Sequence, residues 1–322
     1  MRIPAPPGPR RAAALAAVLA VALSTAAAPA AAAPSPATGP APTVVLVHDA
    51  FTGASVWNAV AARLQRRGYP VLAPDTPLRG PAEDSAALRA ALARISGPVV
   101  LVGHGYGGAV IGTAGADDPK VRALVYIAAL MPDRGETLGR LCARFPGGAL
   151  TEALTRTSVR DTDGTRGTAL SLAPGRFHDI LAADRPAGTT AALAGAQRPL
   201  DAAVFTEPAA EAGWRTVPSW ALVATEDRLL PPALERFQAE RAGAHTVEVA
   251  SSHLAPVSRP DTVTGLVLAA AEDTASAARR PVASARTLVL AAAGCAVGLA
   301  VFVGGGLLAP GRRRGRIRPR SR

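Results

Sequence analysis

The stretch Pro98-Val99-Val100-Leu101-Val102-Gly103-His104-Gly105-Tyr106-Gly107-Gly108-Ala109-Val110-Ile111 leaves this chain little choice of architecture. Val99–Val102 is a strand with no polar face, so both of its faces are covered. Glycines at 103, 105 and 107 permit a tight turn, and the apolar residues after it begin a helix. Apolar runs of strand length recur at Val44–Val47, Tyr69–Ala73, Ala123–Ala128, Trp220–Ala224 and Thr246–Val249. Helical patterns lie between most of them, at Val56–Arg67, Ser85–Ile95, Ala109–Ala114 and Pro232–Ala242. Continuous apolar strands separated by helices predict an α/β domain, a mostly parallel sheet with helices on both faces. Residues 134–208 break that rhythm. They are rich in Gly, Thr, Ala and Arg, and read as a cap of short helical pieces inserted over the sheet.

The chain ends suggest where such a domain sits. Arg2, Arg10 and Arg11, an apolar run over 12–23 and Ala31-Ala32-Ala33 have the pattern of a signal peptide over 1–33. The apolar run is shorter than the ~20 residues that a bilayer span needs. Residues 34–42 read as a Pro/Ala linker, 43–273 as the α/β domain and 274–286 as a stalk. Residues 287–309 carry no charge and are long enough for one transmembrane helix. The arginines of the basic tail, 310–322, place its C-terminal side in the cytoplasm. The expectation is a single-pass membrane protein whose folded domain is extracytoplasmic.

Charge and cysteine usage exclude more than they assign. Of 35 Lys and Arg residues, three fall in the signal and seven in the tail, leaving 25 against 24 acidic residues. The formal charge of +11 therefore belongs to the ends, and no nucleic-acid surface is implied. Cys295 lies in the expected span and Cys142 in the outer domain, so the two do not pair. Cys142 is either buried or a route to a dimer. The histidines, His48, His104, His178, His245 and His253, form no metal-ligand spacing, and no cofactor is expected.

Reactive groups in a parallel sheet gather at the carboxyl ends of strands. Four such ends carry polar signals: His48-Asp49-Ala50-Phe51, the turn at 103–107, Thr225-Glu226-Asp227-Arg228 and Ser251-Ser252-His253. Turn, then acid, then histidine is the chain order of the α/β-hydrolases. Trp57, Tyr69–Pro74, Pro77-Leu78-Arg79-Gly80, Pro132–Thr137 and Pro231-Pro232 add to the pattern. Over roughly 43–273 the chain resembles small actinobacterial α/β-hydrolases related to bacterial esterases and the plant methylesterase/hydroxynitrile-lyase group. The resemblance implies an α/β-hydrolase fold with an esterase-like site. In it His253 is the general base and Asp227 the acid that orients it, while backbone N–H groups of Phe51 and Tyr106 form the oxyanion hole. His104 would pack beside the turn, and His178 and His245 would lie on the surface or in the cap.

Two residues depart from that family's pattern. Gly105 stands at the nucleophile position, where relatives carry serine on a backbone of positive φ. Such a conformation costs ~1–3 kcal/mol for a residue with a β-carbon, and glycine adopts it freely. The fold survives that exchange; acyl-enzyme chemistry at residue 105 does not. Asp49 stands where relatives have glycine. Its carboxylate either points inward, where it repels a developing oxyanion, or faces solvent, or pairs with an arginine such as Arg79.

Three functional readings follow. One is a degenerate hydrolase that binds a small ester, acyl or aromatic ligand under the cap. A second is an active, serine-independent hydrolase or lyase using the His253–Asp227 dyad. A third is a dinucleotide-binding protein, from Gly103-x-Gly105-x-x-Gly108. The third is disfavoured: that motif follows the third strand, and the next strand ends in Ala129-Leu130-Met131 without an acid for a ribose. Oligomeric state is left open by the sequence.

Overall fold

In the computed structural model, which describes residues 41–279 apart from 151, 161–163 and 165, six parallel strands form the central sheet. They are β1 (Thr43–Val47), β2 (Val71–Leu72), β3 (Val99–Gly105), β4 (Val121–Ala129), β8 (Ser219–Ala224) and β9 (His245–Val249); β5 to β7 lie in the cap. Their spatial order is β2-β1-β3-β4-β8-β9, so the strand that carries the glycine turn is central. The helices that matter to the site are α1 (Asn58–Arg66), α2 (Pro81–Leu92), α3 (Gly107–Ala114), α8 (Pro232–Arg241) and α10 (Pro260–Arg279).

Alternation along the strands divides the interior into two cores. Val45, Val47, Leu101 and Tyr126 pack on one face with Leu88 of α2 and Val110 of α3. Val44, Leu46, Val100 and Val125 pack on the other with Leu64 of α1 and Val267 of α10. The sheet is thus apolar on both faces, as the unbroken strand sequences predict. Glycine is required where β3 turns into α3. A β-carbon on Gly103 would lie 2.5 Å from the Gly107 carbonyl oxygen, and one on Gly107 would lie 2.6 Å from that of Val47. Close approach of backbone to backbone accounts for both glycines, with no phosphate needed to explain them.

The cap corrects one expectation. It holds short helices, among them α4 (Leu138–Ala143), but also a three-stranded antiparallel sheet of β5 (Leu154–Arg160), β6 (Arg166–Leu172) and β7 (Leu200–Asp201). Thr155, Thr157 and Val159 are β-branched at every second position, a strand signal that a glycine- and alanine-rich composition obscured. The cap's ends meet at one neck. Thr137 bridges Pro208, Gly135 N–H donates to the Ala209 carbonyl at 2.8 Å, and Ala209 N–H donates to that of Glu136 at 3.0 Å.

Helix α10 continues to Arg279, past the domain end expected at 273. Among the described residues no helix is long and apolar enough to cross a membrane. The expected signal peptide over 1–33, the apolar run 287–309 and the basic tail all lie outside the described residues.

The packing at the turn gives a direct test. Gly103→Ala forces a methyl group into the Gly107 backbone and is expected to cost ~1–3 kcal/mol, read as a lowered urea midpoint at unchanged m-value. Unchanged stability would show that the turn has slack.

Candidate active site

The loop after β1 is fixed by its own polar groups. Buried His48 donates from Nδ1 to the Asp49 carbonyl at 2.8 Å and accepts at Nε2 from Thr76 N–H at 3.0 Å. Thr52 Oγ1 donates to the same Asp49 carbonyl at 3.0 Å. Burial lowers the His48 pKa, which suits this neutral tautomer. With its carbonyl held from two sides, Asp49 directs its side chain into the protein and is only 2% exposed. Phe51 follows at φ 59°, fully buried.

Gly105 ends β3 at φ 54°, in the left-handed region expected for the nucleophile position. A β-carbon built there falls upon Oδ1 and Cγ of Asp49, far inside contact distance, and lies 2.8 Å from Oδ2. The carboxylate therefore occupies the volume a serine side chain would need. Its Oδ1 accepts the Tyr106 backbone N–H at 2.5 Å, and its Oδ2 accepts from His253 Nε2 at 3.0 Å. Of the placements considered for Asp49, solvent exposure and an outward pairing with Arg79 are corrected. Its carboxylate faces the site because its backbone is pinned and Gly105 leaves room.

His253 and Asp227 meet as expected. His253 Nδ1 donates to Asp227 Oδ2 at 2.6 Å, while Asp227 Oδ1 accepts the N–H groups of Leu229 at 2.7 Å and Leu230 at 2.9 Å. The neighbouring Arg228 donates to the Asp179 carbonyl instead. Beneath them His104 packs against the His253 ring, centroids 4.7 Å apart, and its Nε2 donates to the His253 carbonyl at 2.9 Å. His178 lies in the cap, and His245 stacks on Trp220 at the sheet edge. Cys142 is half-buried, and burial pushes its thiol up to about 11.

Several functional neighbours carried no sequence signal. Asp184, in the cap, accepts the hydroxyls of Ser252 and Ser258 and so braces the His253 loop. Asp84 accepts the Tyr106 hydroxyl at 2.5 Å. Glu235 of α8 is fully buried beside Asp227 and accepts Ala224 N–H at 3.0 Å. A buried acid on a helix otherwise rich in charge cannot be told from a solvated one by pattern.

The protonation states follow from the geometry. Burial disfavours a charged His253, yet its contacts with Asp227 and Asp49 overcome this and hold its pKa well above 6.5. Burial likewise works to raise Asp49, but the His253 hydrogen bond and charge leave its pKa below 3.8. Glu235 is raised well above 4.5 by burial and by the Asp227 charge. Burial lowers His104 to about 4, and it is neutral. The centre is thus one imidazolium between two carboxylates. An imidazolium has no lone pair with which to act as a general base.

Asp49, His104 and His253 also bring one ligand atom each within 4.8 Å of one another, a grouping that topology assembles and no sequence spacing announced. A cation binding there through Asp49 Oδ2 and His253 Nε2 would have to displace the proton between them. The cavity that Asp49 lines under the cap has about 20 Å³ of room, enough for a single water. Four of its walls, Leu150, Phe205, Leu229 and Leu230, also bound an outer cavity of about 460 Å³.

A glycine-framed turn, an acid–histidine pair and a capped parallel sheet together define the frame of an α/β-hydrolase. The chain belongs to the Alpha/beta hydrolase family, whose model matches residues 44–266. It is 36% identical over 107 residues to the carbendazim hydrolyzing esterase of Nocardioides sp. (strain SG-4G), covering 29% of this chain and 44% of that protein. It is 31% identical over 106 residues to the pyrethroid hydrolase of Sphingobium wenxiniae (strain DSM 21828 / CGMCC 1.7748 / JZ-1), covering 29% and 38%. These matches span less than half the length of either curated relative. The crystal structure of polyneuridine aldehyde esterase is similar at 22% identity and TM-score 0.62, covering 71% of this chain and 98% of that one. That likeness speaks to fold alone.

The ion pairs predict a pH dependence with a definite sign. His253 has a folded pKa above its ordinary 6.5, so its stabilisation is complete below about pH 6.5 and is lost as pH rises through the folded value. Asp49, lowered from 3.8, contributes above that value and loses its contribution on acidification. Denaturation midpoints should therefore fall on the alkaline side, and His253→Gln should flatten that arm. An equally steep arm in the variant would remove His253 as its cause.

Proposed function

We propose that this chain is an exported, membrane-anchored member of the family whose esterase-like site has lost acyl-enzyme chemistry and serves to hold a small ligand. The observation that carries the reading is the place of Asp49. One carboxylate takes the oxyanion-hole N–H of Tyr106, the Nε2 of the base and the space of the nucleophile. An ester carbonyl developing negative charge there would meet a carboxylate where the Tyr106 donor should be. The protonated His253 also weighs against the alternative in which the dyad activates water. Residual turnover of serine hydrolases without their triad is only ~10³–10⁴-fold over water, and it relies on an oxyanion hole whose Tyr106 N–H is taken by Asp49 here. The relatives named for hydrolysing carbendazim and pyrethroids support a ligand with an ester or aromatic body. Anchoring rests on the apolar run at 287–309 and the arginines after it.

Steric exclusion makes the test specific. The native chain should neither hydrolyse p-nitrophenyl esters efficiently nor label with a fluorophosphonate probe. Gly105→Ser alone should also stay unlabelled, because its side chain collides with Asp49. Asp49→Gly combined with Gly105→Ser should label. Strong labelling of the single Gly105→Ser variant, or ester turnover by the native chain that disappears in His253→Ala, would refute the proposal.

A further inference from the structure

Placing a carboxylate in an oxyanion hole inverts what the pocket offers a ligand. An ester site meets its ligand with donors. Here Tyr106 N–H and His253 Nε2–H point at Asp49 and are consumed by it, while Phe51, the other expected oxyanion-hole residue, lines the same cavity. Tyr106, which also lines the inner cavity, donates its hydroxyl to Asp84, and the side chains of the remaining walls are apolar. Asp49 is thus the carboxylate that the inner cavity presents. The charges behind it do not cancel. Asp49 and Asp227 flank a single imidazolium, leaving an excess negative charge at the end of an apolar pocket. A buried charge of that kind favours a cation that can pair and hydrogen-bond with it.

Size narrows the ligand further. An inner cavity of about 20 Å³ holds one water-sized group, which is the size of an ammonium head. On the other side of Leu150, Phe205, Leu229 and Leu230, which line both, lies the outer cavity of about 460 Å³, within the range of small-ligand sites. We propose that this pocket binds a primary ammonium carried on an apolar body, its head against Asp49 and its body in the outer cavity. The proposal rests on the reading that Asp49 has taken the nucleophile's place, and it names the ligand class which that exchange selects.

Titration calorimetry on the purified full-length chain at pH 7 tests it with five probes: hexylamine, butylamine, hexanoate, methyl hexanoate and hexanol. Hexylamine should bind at least tenfold more tightly than hexanoate or methyl hexanoate. It should exceed butylamine by about fourfold per methylene, the value of burying a CH₂ group. The isosteric Asp49→Asn should lose at least tenfold in hexylamine affinity, while hexanol binding and the urea midpoint report whether its pocket is intact. Equal affinity for hexanoate and hexylamine, or amine affinity unchanged in a folded Asp49→Asn, would overturn the assignment. Fluorophosphonate labelling of the double Asp49→Gly, Gly105→Ser variant, with no amine binding by the native chain, would sink this proposal and leave the preceding one standing.

Discussion

Asp49 lies between two donors, an amide N–H and an imidazolium, that a hydrolase frame otherwise turns toward its substrate. The arrangement depends on three separate parts of the chain. His48 and Thr52 hold the Asp49 carbonyl, so the side chain is committed to one direction. Gly105 offers no β-carbon to obstruct it. Asp227, on the far side of His253, supplies the second negative charge that keeps the ring protonated. Remove any of the three and the carboxylate has no reason to stay.

The scaffold explains why these parts meet. β3 is central, so its carboxyl end lies next to that of β1, which brings Asp49, and that of β4, on the way to Asp227. The cap reaches down to the same place. Asp184 takes the hydroxyls of Ser252 and Ser258, and Leu254 N–H donates to the Leu181 carbonyl at 2.8 Å. The histidine loop is therefore fastened to the cap as well as to the sheet. Such fastening ties the shape of the pocket to the position of His253.

Much of this was legible in the residues alone. Unbroken apolar strands gave the covered parallel sheet, and the order Gly105, Asp227, His253 gave the site, because chain order and strand ends are local properties. The direction of Asp49 was not legible, since it depends on the His48 bonds and on space beside Gly105 across two strands. Glu235 and Asp184 were missed for a related reason: burial of an acid on a helix or in a cap loop is decided by what packs over it. The cap strands were obscured by small residues that leave β-pairing to a few threonines and valines.

The exclusion between a side chain at 105 and the carboxylate of Asp49 couples the two positions. A hydroxymethyl at 105 and an inward carboxylate at 49 claim one volume, so neither position can be redesigned without the other. Any route that installs a nucleophile on this turn runs through residue 49 first: the acid has to leave before the hydroxyl can stand there.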